Sequence, residues 1–153
     1  MSNHNPEEVA ALRREIERKS AEQGGGKTPE QMAEEAVSAH PNIAEVAVVG
    51  VSDAIKGQVP IAFAVVRDAA QVATAAGRAS MEREVFSVVD QALGPVGRPA
   101  RVHFVTLLPK TRSGKVLRRS IQAIAEGRDP GDLTTLDDPI GIEQVRTAVT
   151  AKT

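Results

Sequence analysis

Residues 108–119 read LPKTRSGKVLRR, which places Lys110, Arg112, Lys115, Arg118 and Arg119 in one short run broken by Ser113-Gly114. Three chemistries use such a run: a phosphate-cradling loop, a nucleic-acid patch, and a lysine offered as a point charge. Spacing removes the first. A Walker-type loop needs a glycine five residues before Gly114 and Ser or Thr after the lysine, and those positions hold Pro109 and Val116. The second needs an extended basic face or aromatic side chains for base stacking, and the chain has no Trp or Tyr and no Phe near the run. For the third, an apolar stretch ends at Leu108, Pro109 stiffens the exit, Ser113-Gly114 allows a tight turn, and Lys115 stands at the tip before a helix. A lysine held there can set a compact cation beside developing negative charge. A solvated charged loop leading into a helix has the same composition, and the residues alone leave both readings open.

Whatever the run does, a core must position it. The 153 residues, 41% of them hydrophobic, suffice for one ordinary domain, and 19 basic against 20 acidic side chains leave a formal charge of -1. Such a balance supplies no overall field toward nucleic acid or an anionic membrane, so any basic site is local. The absence of cysteine removes disulfides, thiolate metal sites and thiol nucleophiles, and suits a reducing cytoplasm. No apolar run reaches the roughly 18 residues of a membrane span, and MSNHNPEEVAALRRE lacks the basic-then-apolar order of a signal peptide. A cytoplasmic protein with no metal, membrane or nucleic-acid partner is expected.

Along the chain, Asn5-Pro6 caps a first helix whose stripe of Val9, Leu12 and Ile16 is narrow, and QGGGK ends it, so residues 23–26 are expected to be a hinge. Thr28-Pro29-Glu30-Gln31 is a capping box that starts a helix running to about Ala39. IAEVAVVGV and VPIAFAVV, separated by SDAIKGQ, read as an antiparallel pair of buried strands. Residues 68–78 read as a loop, and a helix from a Ser80 cap carries Met81, Val85, Val88, Val89 and Ala92 at helical spacing. RVHFVTLL is a third strand with Val102, Phe104 and Thr106 on one face. A helix over about Val116–Ala125, the polar tail EGRDPGDLTTLDD, and a helix capped by Asp138-Pro139 with Ile142, Val145 and Val149 on one face complete the chain. This order predicts an α+β fold, a small, mostly antiparallel sheet packed with helices. Phe63, Phe86 and Phe104 fall in core elements.

LPKTRSGKVLRR resembles the terminal motif of the acyl-CoA synthetases, within the adenylate-forming superfamily. HPNIAEVAVVGVSDAIKGQVPIAFAVV is similar to the same enzymes' helix end and hairpin, and GRDPGDLTTLDDP to the tail of the acetyl- and propionyl-CoA synthetases. The resemblance runs from about Gly25 to about Val145 and covers those enzymes' small C-terminal domain. It implies a division into residues 1–24, a helix and linker unlike the family; 25–139, the family domain; and 140–153, a terminal helix.

The resemblance also implies a chemistry. Carboxylate and ATP form an acyl adenylate and pyrophosphate, the C-terminal domain swivels, and coenzyme A attacks the adenylate. Lys115 matches the adenylation lysine, with Pro109, Lys110, Thr111, Ser113 and Gly114 supporting its loop. Gly25, Gly26 and Lys27 match a Gly-x-Arg element near nucleotide or coenzyme A, with lysine in place of the forked arginine. Asp90 stands where some acetyl-CoA members carry an arginine on the coenzyme A 3'-phosphate, which it would repel. ATP with magnesium and coenzyme A are expected as substrates of the full enzyme, none held tightly by this chain. The implied partners are an adenylation domain, in cis or in trans, and a lysine acetyltransferase and deacetylase acting on Lys115. The acid is acetate or propionate, with the GRDPGDLTTLDDP tail favouring propionate. Without an adenylation domain the chain is expected to be inactive. The alternative is a free-standing regulatory or interaction module derived from this domain, without catalysis.

Overall fold

The computed structural model describes residues 28–150 apart from Lys56, Pro95 and Val96, together with Ala11 and Arg14. The expectations for the first helix, save at those two helical residues, for the hinge, and for Gly25, Gly26 and Lys27 lie outside the described residues.

Helix α1, Pro29–Ser38, begins with the expected capping box. The Gln31 N–H donates to Thr28 Oγ1 at 3.1 Å, and the Thr28 N–H donates to Gln31 Oε1 at 2.9 Å. Two otherwise unsatisfied donors of the first turn are thereby paired. Strands β1, Ile43–Asp53, and β2, Gly57–Val66, pair antiparallel, with an irregularity between Ile43 and Glu45. They read as continuous apolar runs because both faces are covered: Val48, Ala62 and Ala64 enter one cluster, Ala47, Val49 and Phe63 the other.

The third strand, β3, Arg101–Phe104, lies parallel to β2 in register from Ile61↔Arg101 to Ala64↔Phe104, so among the described residues the sheet order is β1-β2-β3. The fold is α+β, with one long antiparallel pair and one short parallel one. The strand stops four residues before Leu108. Thr106 is exposed, and its N–H donates to Gln144 at 3.1 Å, while Val105 and Leu108 still bury into the second cluster. Glu82 accepts the Val102 N–H at 2.8 Å, so a side chain covers the outer edge of β3 there.

Helix α2 spans Ala75–Leu93 and starts before the expected Ser80. Thr74 caps it by accepting the Gly77 N–H at 3.0 Å, and Ala69–Val72 forms a single 3-10 turn within the expected loop. Ala75, Ala76 and Ala79 are exposed, so no burial imposes an apolar period on residues whose helix propensity is the highest of all. Of the residues expected on the inward face, Met81, Val85 and Val89 are buried, i to i+4 to i+8, whereas Val88 is half-buried and Ala92, near the helix end, is exposed. Helix α3, Arg118–Ala125, and helix α4, Ile140–Thr150, cover the other face of the sheet, with Ile121, Ile124, Ile142 and Val145 around the fully buried Phe63. Asp138 accepts the Ile140 N–H at 2.9 Å, the cap expected there. Phe86 and Phe104, half-buried, pack on the first cluster.

Candidate functional site

The basic run folds as a small hairpin rather than an open loop. Lys110 and Val116 pair across it, the Thr111 N–H donates to the Lys115 carbonyl at 2.8 Å, and the Gly114 N–H donates to the Thr111 carbonyl at 2.9 Å. The Thr111 hydroxyl oxygen accepts the Lys115 N–H at 3.1 Å and lies 2.9 Å from Ser113 Oγ. Gly114 closes the turn at φ 90°, a conformation that costs an L side chain steric strain. Val116, β-branched and paired across the hairpin, delays the helix to Arg118, two residues later than expected, and the Leu117 N–H closes back on the Pro109 carbonyl at 2.9 Å.

The root is buried where the tip is not. Leu108 and Pro109 are almost fully shielded. Gly141 at the start of α4 lies so close that a Cβ there would stand 2.7 Å from Pro109 Cα. The polar tail returns alongside: Thr111 bridges Leu136, and the Asp137 N–H donates to the Lys110 carbonyl at 2.9 Å. Arg112, Ser113, Gly114 and Lys115 are exposed.

Of the five basic residues, two are engaged. Lys110 pairs with Glu45 of β1. Arg118 meets the Glu34 carboxylate through two N–H groups, at 3.0 and 2.6 Å, and the same carboxylate accepts the Val48 N–H at 2.8 Å. That two-pronged contact holds the Arg118 proton more tightly than usual, its hydrogen bonds to Glu34 outweighing burial. Among the described residues the Lys115 ammonium makes no ion pair or hydrogen bond. The hairpin therefore presents one unengaged lysine whose backbone is fixed at both its N–H and its carbonyl.

Pro109, Lys110, Thr111, Ser113, Gly114 and Lys115, the residues expected at the site, come together in this one hairpin. Glu45, Glu34, Asp137 and Gly141 join them from positions distant in sequence, with no local signal to announce them. Asp90 does not stand as a bare charge: Arg98 holds it from two nitrogens, Nε at 3.1 Å, and stacks its guanidinium 5.0 Å from the Phe86 ring centre. Apart from the hairpin, a cleft of about 600 Å³ opens between the start of α2, β3 and α4, lined in part by Arg78, Arg101, His103 and Gln144. His103 stacks on Phe63 at 5.1 Å, and burial, then the Arg101 charge, lowers its pKa below the usual 6.5. Among the described residues no cluster of His, Asp and Glu is arranged to hold a metal, and no helix is long and apolar enough to cross a membrane.

A family model described as the AMP-binding enzyme C-terminal domain matches residues 33–115, more than half of the chain. The propionate–CoA ligase of Salmonella typhimurium is 54% identical over 116 residues, which cover 76% of this chain and 18% of that protein. The acetyl-coenzyme A synthetase of Pyrobaculum arsenaticum is 45% identical over 115 residues, 75% of this chain and 16% of that one. Among solved structures, an acyl-CoA synthetase of Brucella canis superposes with a TM-score of 0.51 at 30% identity, covering 60% of this chain and 16% of its own. An amide bond synthetase of Marinactinospora thermotolerans gives 0.51 at 29%, covering 61% and 17%. The chain spans less than a fifth of the length of the curated relatives it matches.

Proposed function

The chain belongs to the AMP-binding enzyme C-terminal domain family, and on that footing we propose that it is the mobile C-terminal domain of a short-chain acyl-CoA ligase, with Lys115 as its adenylation lysine. The observation that carries the reading is the hairpin itself, which presents one exposed ammonium that is unengaged among the described residues while neighbouring Lys110 and Arg118 are held by carboxylates.

In the first half-reaction an oxygen of the acid attacks the α-phosphorus of ATP, and the bond to pyrophosphate breaks. Negative charge gathers on the α-phosphoryl oxygens as the attacking carboxylate approaches. An ammonium between the two draws them together and stabilises that charge. Lys115 supplies it; ATP with its magnesium and the acid are bound by an adenylation domain, the partner in which the pockets lie. The second half-reaction, attack of the coenzyme A thiol on the adenylate carbonyl with loss of AMP, needs no charge from Lys115. Gly25, Gly26 and Lys27 are assigned to the nucleotide and coenzyme A side of the domain.

Propionate is the acid we assign. Identity to the propionate–CoA ligases of Salmonella typhimurium and Escherichia coli, 54–55%, exceeds that to the acetyl-coenzyme A synthetases of two Pyrobaculum species, 45–46%, and the tail GRDPGDLTTLDDP supports the same choice. We place the protein in the cytoplasm, where ATP and coenzyme A are supplied, and take Lys115 as the target of an acetyltransferase and a deacetylase, since acetylation removes the charge on which its role depends.

The test is a chimera in which residues 28–150 replace the matching segment of the propionate–CoA ligase of Escherichia coli. It should release pyrophosphate and form propionyl-CoA. Lys115→Ala in that chimera should slow pyrophosphate release by about 10²- to 10³-fold, the usual cost of a lost charge-stabilising group, while thioester formation from preformed propionyl adenylate continues. Equal loss of both half-reactions would make Lys115 a structural residue. Pyrophosphate release by the isolated chain would overturn its reading as one part of a two-domain catalyst.

A further inference from the structure

We propose that Glu45 is a positioning residue for Lys115: by holding the Lys110 ammonium against β1, it sets the direction in which the hairpin presents Lys115. The inference rests on the role assigned to Lys115 above.

The hairpin is a body of its own. Its hydrogen bonds run between Pro109 and Leu117, Thr111 and Lys115, and Thr111 and Gly114, so the orientation of the root fixes the orientation of the tip. Backbone contacts restrain that root where Asp137 and Leu136 pair with Lys110 and Thr111. Among the described residues, the polar side-chain contact that leaves residues 110–116 for the sheet is the one between Lys110 and Glu45. It spans 65 residues of sequence and ties the first residue of the hairpin to β1 beside the irregularity in its pairing with β2.

Stability is a poor reason for this pair. The two side chains are 25% and 38% exposed, and ion pairs at such positions add little to folding. Direction is a better one. A lysine stem is long and flexible, and a reacting group displaced by about 1 Å can lose about 100-fold in rate. The pair has a second effect on charge. With Lys110 answered by a carboxylate, the ammonium left to an approaching phosphate is that of Lys115, five residues on, and Lys110 does not compete for it.

The test uses the chimera and the chain itself. In the chimera, Glu45→Gln should lower kcat of the pyrophosphate-releasing step about tenfold with KM for ATP and propionate unmoved, because both are bound by the other domain. Thioester formation from preformed adenylate should keep its rate. Glu45→Asp should recover part of the loss, and the exchanged pair Glu45→Lys with Lys110→Glu should recover most of it, since either restores a tie to β1. In the chain alone, limited acetic anhydride should label Lys115 several-fold faster than Lys110, and Glu45→Gln should bring Lys110 up to the same rate.

Wild-type pyrophosphate release by the Glu45→Gln chimera, with Lys115→Ala still slowed in that step, would overturn the positioning role and leave Lys115 standing. An unaffected Lys115→Ala chimera would overturn the parent reading instead. A Glu45→Gln chain whose thermal midpoint falls by more than about 5 °C, and whose exchanged pair recovers no activity, would make Glu45 a folding residue, contrary to the proposal.

Discussion

Gly141→Ala should loosen the root of the Lys115 hairpin from a position outside it. The new Cβ would stand 2.7 Å from Pro109 Cα, 2.8 Å from its nitrogen and 3.1 Å from the Leu108 carbonyl carbon. Carbon contacts relax at roughly 3.5–4.0 Å, so the first turn of α4 and Pro109 must part by about 1 Å. All three atoms are backbone, so no side chain can turn aside. Behind them, Leu108, Ile142 and Val145 are buried and must repack. Overpacking costs about 1–3 kcal/mol, and with only backbone atoms to yield the cost here lies in the upper part of that range, about 2–3 kcal/mol; alanine returns about 1 kcal/mol of helix propensity, which leaves a loss of about 1–2 kcal/mol. For a domain of this size, 1 kcal/mol corresponds to about 3 °C, so the midpoint should fall by about 3–6 °C in circular dichroism melts. Amide exchange should localise the change: Leu117, bonded to Pro109, and Asp137, bonded to Lys110, should lose protection before the amides of β1 and β2. An unchanged or raised midpoint with both amides still protected would refute the reasoning, because it would mean that the contact yields at no cost.

Thr111→Val removes the oxygen that accepts the Lys115 N–H; at about 1 kcal/mol for such a bond, the Lys115 amide should exchange about fivefold faster, as read by NMR, with little change in the melt. The Glu126 carboxyl is held down to about 2, chiefly by the Ser52 N–H and next by Arg128. Because that lies below its ordinary 4.5, its contribution is full above about pH 5 and fades as the pH falls from 4.5 toward 2. Glu126→Gln should therefore lower the urea midpoint at pH 7 and flatten its decline between pH 5 and pH 2.5. His103 has the opposite chemistry but the same direction: burial and Arg101 favour its neutral form, so it costs the folded state stability as pH falls through 6.5. His103→Phe, which keeps the stack on Phe63, should gain stability relative to the native chain between pH 7 and pH 5 in the same urea series.

What could be read in the sequence is what has its physical cause within a few residues. The Thr28 capping box, the Asp138 cap and the turn at Ser113-Gly114 each satisfy hydrogen bonds or backbone conformations among near neighbours, so residue types alone announce them. The two apolar runs of β1 and β2, joined by a short polar turn, leave little choice but an antiparallel pair. The spacing of Met81, Val85 and Val89 marks the inward face of α2 for the same local reason. Where burial did not act, the pattern was silent: exposed alanines hid the first turn of α2, and the four-residue β3 ended before its apolar run did.

The rest belongs to the path of the chain. That β3 lies parallel to β2 depends on α2 carrying the chain back across the sheet, which no residue of RVHF announces. Lys110 and Arg118 look alike in the sequence to Lys115, since all three are cations in one basic run. They differ because Glu45 lies 65 residues from Lys110 and Glu34 lies 84 from Arg118, and folding delivers a carboxylate to each of those two. Gly141 reads as an ordinary glycine near a helix start until the fold sets it against Pro109. Residue types could nominate Lys115, but only long-range packing could engage Lys110 and Arg118 and leave the Lys115 ammonium exposed, because ion pairing and close approach depend on distances that the chain sets only when folded.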